Sequence, residues 1–350
     1  MRTPRTMPLL ALAAASLLAS GAVACGNDRD PQEPAPASDK KITLYSGRSE
    51  SLIKPVLESF QKASGITVEV RYGDTAQMAA QLVEEKDRSP ADVFLAQDAG
   101  ALGAVMKKGL FATLPAEVTG RVPATYRAKG GEWVGVTGRS RVLVYNADLV
   151  GPADLPKSVF DLRDAKWKGK VGVAPTNGSF QAFVTALRVQ HGEQKATQFL
   201  ADLKANGAQI REGNPQIVAD VNSGKLAAGL VNHYYVYQRA KEDGKTVEAL
   251  EAKLHFFPDG DTGALVNVSG VGVLKKAATD PDVRVFVDYL LGTEGQKYFA
   301  EKTYEYPMVA GVATAPGLPE LASLKAPAID LNDLDTLEAT VRMIKDAGLA

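Results

Sequence analysis

Residues 41–100 read KITLYSGRSESLIKPVLESFQKASGITVEVRYGDTAQMAAQLVEEKDRSPADVFLAQDAG. Ile42-Thr43-Leu44-Tyr45 is a short β-branched and aromatic run that stops at Ser46-Gly47, which predicts a strand. Leu52, Ile53, Val56, Leu57 and Phe60 then recur at helical spacing, and Gly65 suits a left-handed C-terminal cap. Ile66 to Val70 predicts a second strand, Met78, Leu82 and Val83 a second helix, and Ala91 to Leu95 a third strand. This β-α-β-α-β order argues for an α/β domain with a mainly parallel sheet. Such sheets bind ligands beyond the carboxyl ends of their strands. That directs attention to Ser46 to Glu50, Tyr72 to Thr75 and Ala96 to Gly100.

Downstream the alternation restarts. Val134 to Val136, Val142 to Tyr145 and Lys170 to Val173 are strand-like, and a turn at Pro175 to Gly178 leads into a helix around Phe180 to Val189. Leu226 to Val231 predicts another strand, followed by a helix from Tyr234. Val266 to Val273 predicts a further strand before a helix facing inward with Val283, Phe286, Val287 and Leu290. Two α/β lobes are expected.

Upstream, Arg2 and Arg5 precede the apolar run Leu9 to Ala19, and Ala22-Val23-Ala24 stands before Cys25. This pattern predicts an export signal over 1–24. Ala22-Val23-Ala24-Cys25 also resembles a bacterial lipobox, which makes Cys25 the expected lipidation site and an extracytoplasmic, membrane-anchored protein the expected product. The Pro-rich polar stretch that follows makes 25–40 a flexible tether. Cys25 is the single cysteine of 350 residues, and there are three His, so thiolate-rich zinc and iron–sulfur sites are excluded. Forty basic against 41 acidic residues give a net charge of −1, which does not suit a nucleic-acid partner.

The unusual local feature is Asn232-His233-Tyr234-Tyr235-Val236-Tyr237, with three tyrosines in four positions directly after an apolar strand. A phenol ordinarily keeps its proton to a pKa of about 10, so it is a poor ligand for most divalent ions. A small, hard trivalent cation can drive that proton off by its own charge. Packing as half-buried aromatics with a polar tip remains open on these residues alone. His233 reads as a structural histidine, since alternation aims it away from its neighbours' target.

The chain from about Lys41 to Ala350 resembles the bacterial ferric-ion-binding proteins of ABC iron importers. The resemblance is carried by Tyr45-Ser46-Gly47-Arg48, Ser89-Pro90-Ala91-Asp92-Val93-Phe94, Gly138-Arg139-Ser140-Arg141-Val142 and Trp167-Lys168-Gly169-Lys170. Asn177-Gly178-Ser179-Phe180, Asn232-His233-Tyr234-Tyr235, Gly263-Ala264-Leu265-Val266 and Glu305-Tyr306-Pro307 complete it, in the family's order and spacing. It implies a two-lobe periplasmic-binding-protein fold, type II-like, with the ligand cleft between lobes joined by a hinge. The lobes are expected at 41–140 plus about 265–315, and at 141–264 plus about 316–350.

The resemblance further implies that Tyr234 and Tyr235 bind Fe(III). The family's His and Glu positions read here as Ser49 and Gln97, so the variant with a third tyrosine and an exogenous anion fits better, and Tyr145 is the position assigned to it. Gln97 and Asp98 are further metal candidates, although Asp98 can equally cap the helix near Ala99. Arg141 is assigned to a carbonate or another small synergistic anion, with Arg139 and Ser49 as alternatives. Asn177, Gly178 and Ser179 are the helix N-terminus that would face the same anion, or an ordinary cap. Asn214 and Asn232 are expected to hydrogen-bond beside the site. The implied function is a monomeric receptor delivering ferric ion, bare or chelated, to an ABC permease. The rival readings are a same-fold receptor for a phosphate ester, thiamine or polyamine, and a secreted hydrolase using Ser140.

Overall fold

The computed structural model describes residues 38–350. The expected signal at 1–24, the lipidation site Cys25 and the tether up to 37 lie outside the described residues. Where the tether meets the body, its last residues are held rather than loose. Ser38 Oγ donates to both oxygens of Asp282 (2.8 and 3.0 Å), and the Lys40 N–H donates to Asp282 Oδ2 at 2.8 Å.

The first unit is β1 (Lys41–Ser46), α1 (Glu50–Ser64), β2 (Thr67–Tyr72), α2 (Thr75–Glu85), β3 (Val93–Ala96) and α3 (Ala99–Lys107). The helical spacing of Ile53, Val56, Leu57 and Phe60 puts all four on the buried face of α1, and Gly65 closes the helix at φ 72°. A short α4 (Ala116–Thr119) leads to β4 (Trp133–Asn146), a single 14-residue strand where two separate stretches were expected. Between the two expected stretches, the polar side chains of Arg139, Ser140 and Arg141 are buried.

Then follow β5 (Val171–Val173), α5 (Gly178–His191), α6 (Glu193–Ala205), β6 (Gln209–Ile210), α7 (Asn214–Asn222), β7 (Ala228–Asn232), α8 (Tyr234–Glu242) and β8 (Ala252–His255). The chain closes with β9 (Val266–Val273), α9 (Pro281–Leu290), α10 (Thr293–Tyr298), β10 (Tyr306–Pro307) and α11 (Leu337–Asp346). The strand order is β2-β1-β3-β9-β4-β7-β5-β6, with β8 and β10 also pairing β4.

Only the outer pairs are parallel: β1 with β2 and β3, and β5 with β6 and β7. The sheet is mixed rather than mainly parallel. β9 re-enters the first half from the second, so it runs antiparallel to β3 and β4. β4 joins the halves: Trp133 to Ser140 pair with β9, and Arg141 to Asn146 with β7 and β8.

The apolar cores follow the same division. One centres on Leu44, Phe94, Trp133 and Phe286. Two others lie beyond Arg141, around Leu143, Phe183 and Phe199, and around Val142, Ile217 and Val231. The tail 316–350, expected with the second lobe, is divided between them. Leu318, Leu331 and Leu334 pack into the first core, whereas Ile344 and Leu349 pack into a second-half core. Among the described residues no helix is long and apolar enough to cross a membrane.

Candidate metal and anion site

Four helix starts meet where β4 passes between the halves. β7 ends at Asn232, His233 turns helical, and α8 opens with Tyr234 and Tyr235. Their rings lie 4.2 Å apart between centroids and 32° from parallel. Tyr234 is buried and Tyr235 half-buried. Burial pushes the Tyr234 phenol well above its ordinary value and Tyr235 adds to the rise, while Arg139 and Arg48 pull it back.

His233 points away from this pair. Its Nδ1 accepts the Ser140 N–H at 3.1 Å, and its Nε2 donates to the Tyr304 carbonyl at 2.8 Å. Both ring nitrogens are satisfied in the neutral form, and burial lowers the imidazole to about 4. His233 is a structural residue.

Across the ladder from Asn232 stands Arg141. The guanidinium is 2% exposed and faces no carboxylate. Nη2 donates to the Leu230 carbonyl at 2.9 Å; Nη1 donates to Ser179 Oγ at 3.1 Å and, more loosely, to Asn232 Oδ1 at 3.4 Å. Its Nε has no partner. Burial pushes Arg141 down to about 9, with the two tyrosines acting in the opposite direction. A buried cation without a counter-ion is costly, and its best partner is an anion from outside.

The loop before α5 supplies the surroundings. Asn177 caps α5, its Oδ1 accepting from Ser179 N (2.9 Å) and Ser179 Oγ (2.5 Å). The cap reading of Asn177 is therefore the one its side chain takes. Asn214, first residue of α7, donates through Nδ2 to Asn177 Oδ1 (3.1 Å) and Ser179 Oγ (3.2 Å). Gly178, first residue of α5, has a backbone N–H that helix geometry leaves without an intrahelical acceptor. Helix N-termini favour negative charge.

The facing wall belongs to the first half. Arg48, from the loop after β1, forks onto Glu305 at 3.0 and 2.9 Å and reaches Ser269 Oγ at 2.9 Å. Arg139 lies 3.8 Å from the same carboxylate and donates to the Gln97 carbonyl. Asp98 caps α3 through Ala101 N at 2.9 Å, and desolvation pushes its carboxyl up. Gln97, Asp98, Arg139, Arg141, Gly178, Ser179, Asn232, Leu265 and Asn267 line one enclosed space of about 10 Å³, roughly the room of a single water.

Against this geometry, a family model described as "Bacterial extracellular solute-binding protein" matches residues 88–333. The chain belongs to that family. It is 34% identical over 343 residues to a protein of Serratia marcescens called Fe(3+)-binding periplasmic protein, covering 98% of this chain and 97% of the other. The crystal structure of iron-bound HitA from Pseudomonas aeruginosa is similar at a TM-score of 0.79 and 35% identity, over 88% of this chain and 99% of that one. A Trichodesmium protein in complex with iron and citrate is similar at 0.76 and 30% identity, over 89% and 100%.

Two of the expected site residues fall elsewhere in this solute-binding protein. Tyr145 pairs with Ala228, whereas Arg141 pairs with Asn232 at the cleft. Four residues of strand put Tyr145 about 13 Å farther along β4. Its ring packs against the core that holds Leu143. Tyr145 thus shares a face of β4 with Arg141 but stands at the far end of the ladder, away from the Tyr234-Tyr235 pair. Ser49 is exposed at the start of α1 and does not line the enclosed space.

Arg139, held as an alternative anion ligand, shares its carboxylate with Arg48. Ser140, the hydrolase candidate, is buried, and its hydroxyl donates to the Arg141 carbonyl at 2.9 Å. Sequence reasoning missed Arg48, Glu305, Asn267 and Ser269 as site residues. Arg48 and Glu305 each stood inside a family motif, but they are separated by 257 positions, and nothing local announces their pairing. Among the described residues no cluster of His, Cys, Asp or Glu is placed to hold a metal ion.

Proposed function

We propose that this extracytoplasmic solute-binding protein takes Fe(III) as its cargo, held by the phenolates of Tyr234 and Tyr235 with a small anion on Arg141. The reading is carried by one observation: two tyrosines open α8 with their rings 4.2 Å apart, beside a buried guanidinium that has no carboxylate of its own. Arg48, Arg139 and Arg141 outnumber the acids facing them, Glu305 and Asp98, so the space is electropositive until phenolates and an anion arrive. A hard trivalent ion suits oxygen donors of this kind. The relatives' names point the same way.

Against the alternative organic solutes, thiamine, a polyamine or a phosphate ester, stands the pair Tyr234 and Tyr235, whose oxygen donors suit a hard ion. Capture would proceed by hinge closure about β4 and β9, with the first lobe over 41–140 plus about 265–315 and the second beyond Arg141. Bound metal would bias the equilibrium toward the closed form. A lipid on Cys25 would hold the monomer at the membrane, where it would hand ferric ion to an ABC permease.

The test is a ferric titration followed in the visible range. Parent protein is expected to develop a tyrosinate-to-iron charge-transfer band. Tyr235→Phe should lose it, with affinity reduced more than about 1,000-fold, or about 4 kcal/mol. A folded parent with no such band overturns the reading.

A further inference from the structure

No residue of the run Trp167-Lys168-Gly169-Lys170 lines the enclosed space beside the tyrosines. The run leads instead into β5, at the opposite end of the second-half sheet. Val171 pairs with Ala228, and so does Tyr145, whereas Arg141 pairs with Asn232, four residues or about 13 Å farther along. At this far end a hollow of about 410 Å³ is bordered by Leu149, Asp154, Lys166, Trp167, Lys170 and Lys225, among others. Three lysines thus stand against a single carboxylate among its lining residues. Lys166 Nζ donates to a neutral group, the Asp154 carbonyl, at 3.0 Å and lies 5.7 Å from the centre of the Trp167 ring. Lys225 Nζ is 3.7 Å from Asp220, whose other oxygen takes Arg211 at 2.7 Å. Lys170 is exposed and, among the described residues, forms no ion pair. Trp167 is 3% exposed, yet among the described residues its Nε1 has no partner.

We propose that this hollow binds a small organic di- or tricarboxylate, at a site separate from the metal. Its volume lies in the range of about 300–1,000 Å³ usual for organic ligands, and a lone inorganic oxyanion would leave most of it unfilled. Leu149, an apolar side chain that is 55% exposed, and the Trp167 ring offer a surface for a carbon skeleton. The lysines supply separate point charges rather than one planar fork, so they suit several carboxylates spaced along that skeleton. The unspent indole N–H adds one donor, and buried donors of this kind are normally hydrogen-bonded. Clustered cations repel one another, and a polyanion relieves that repulsion where a single acetate-sized group cannot reach all three. None of this depends on the iron reading.

The test titrates full-length, iron-free protein carrying Arg141→Leu with tricarballylate, a plain tricarboxylate, and with acetate, at constant ionic strength. The substitution removes the basic group at the cleft, so that calorimetry reports the far end alone. Trp133 is fully buried in the first core with its Nε1 on Asn332, which leaves Trp167, the other of two tryptophans, to report a ligand by its emission. Tricarballylate is expected to bind at one molecule per chain, to change the emission saturably, and to bind at least about tenfold more tightly than acetate. Adding Lys170→Gln and Lys225→Gln should weaken it about tenfold or more, since a hydrogen bond to a charged group is typically worth about that factor. The same two lysine substitutions in the parent should leave the ferric band unchanged. If Arg141→Leu does not fold, the loss between the parent and the lysine variant decides alone. No binding, equal affinity for acetate, or full affinity in the lysine variant would each overturn the proposal. Absence of a ferric band in a parent that binds tricarballylate would instead tell against the iron reading alone.

Discussion

Arg139 and Arg141 stand two residues apart on the same face of β4, and both are almost wholly buried. Their surroundings differ. Arg139 belongs to a closed ionic group, sharing Glu305 with Arg48 and donating to the Gln97 carbonyl. Arg141 donates to carbonyl, amide and hydroxyl oxygens and lies over the Phe183 ring at 5.6 Å, with no carboxylate to neutralise it. One wall of the cleft thus carries a carboxylate of its own, and the other is built for a charge that must come from outside. Adjacent cations on one strand can therefore do opposite work: the first fixes the wall, and the second waits for a ligand.

The contrast breaks first at Glu305. Glu305→Ala would leave the buried Arg48 without its carboxylate and Arg139 without its nearer one, and breaking a buried ion pair typically costs about 3–5 kcal/mol. The iron-free variant should unfold in chemical denaturant at a much lower midpoint than the parent. Arg141→Leu should behave in the reverse way. It removes an uncompensated buried cation, so the iron-free protein should unfold at a midpoint no lower than the parent's. Its ferric affinity should nevertheless fall about 10–100-fold, the usual effect of losing a group that orients a metal's partners. Similar stability losses at Glu305 and Arg141 would mean that the two walls do not differ as described.

Acid supplies the next test, through His233 behind the tyrosines. Its folded value is lowered to about 4 from an ordinary 6.5, because burial disfavours the charged ring by more than its two backbone partners favour it. The unfolded chain therefore takes up a proton at higher pH than the folded chain does. The stabilisation is complete above about pH 6.5 and is lost as pH falls toward 4, since there the unfolded state binds more protons. Iron-free parent should show a falling unfolding midpoint across that window. His233→Gln should begin less stable at neutral pH and show a flatter profile. A parental profile unchanged between 6.5 and 4 would contradict the neutral, doubly bonded ring.

Much of the fold was legible because its signals are local. The apolar spacing of α1 and the run Val266 to Val273 both appear where periodicity puts them. The Tyr234-Tyr235 pair was visible as an excess of aromatics after a strand. Two kinds of error arose where local signals meet long-range structure. β4 was read as two stretches because the polar residues Arg139, Ser140 and Arg141, buried in the structure, interrupt its apolar runs. The sheet was expected mainly parallel from the β-α-β-α-β order of 41–100, while the direction of β9 is set by re-entry from the other half. The pairing of Arg48 with Glu305 was invisible for the same reason: only the closed topology brings β1's loop to β10.

Tyr145 gives the smallest expected effect and the sharpest check on the placement of the cleft. Motif proximity put it in the metal site, since it follows Arg141 by four residues and lies on the same face of the strand. The register assigns it elsewhere: Arg141 sits opposite Asn232, and Tyr145 opposite Ala228 and Lys253. A ligand must bring its oxygen to the same point as Tyr234 and Tyr235, and a strand rising about 3.3 Å per residue carries Tyr145 away from that point. Tyr145→Phe should therefore leave the ferric band and affinity within about twofold of the parent, less than about 0.4 kcal/mol. A blue-shifted or weakened band in this variant would mean that the far end of β4 contributes to the metal. The separation between a ligand-binding end and a packing end of this strand would then fail.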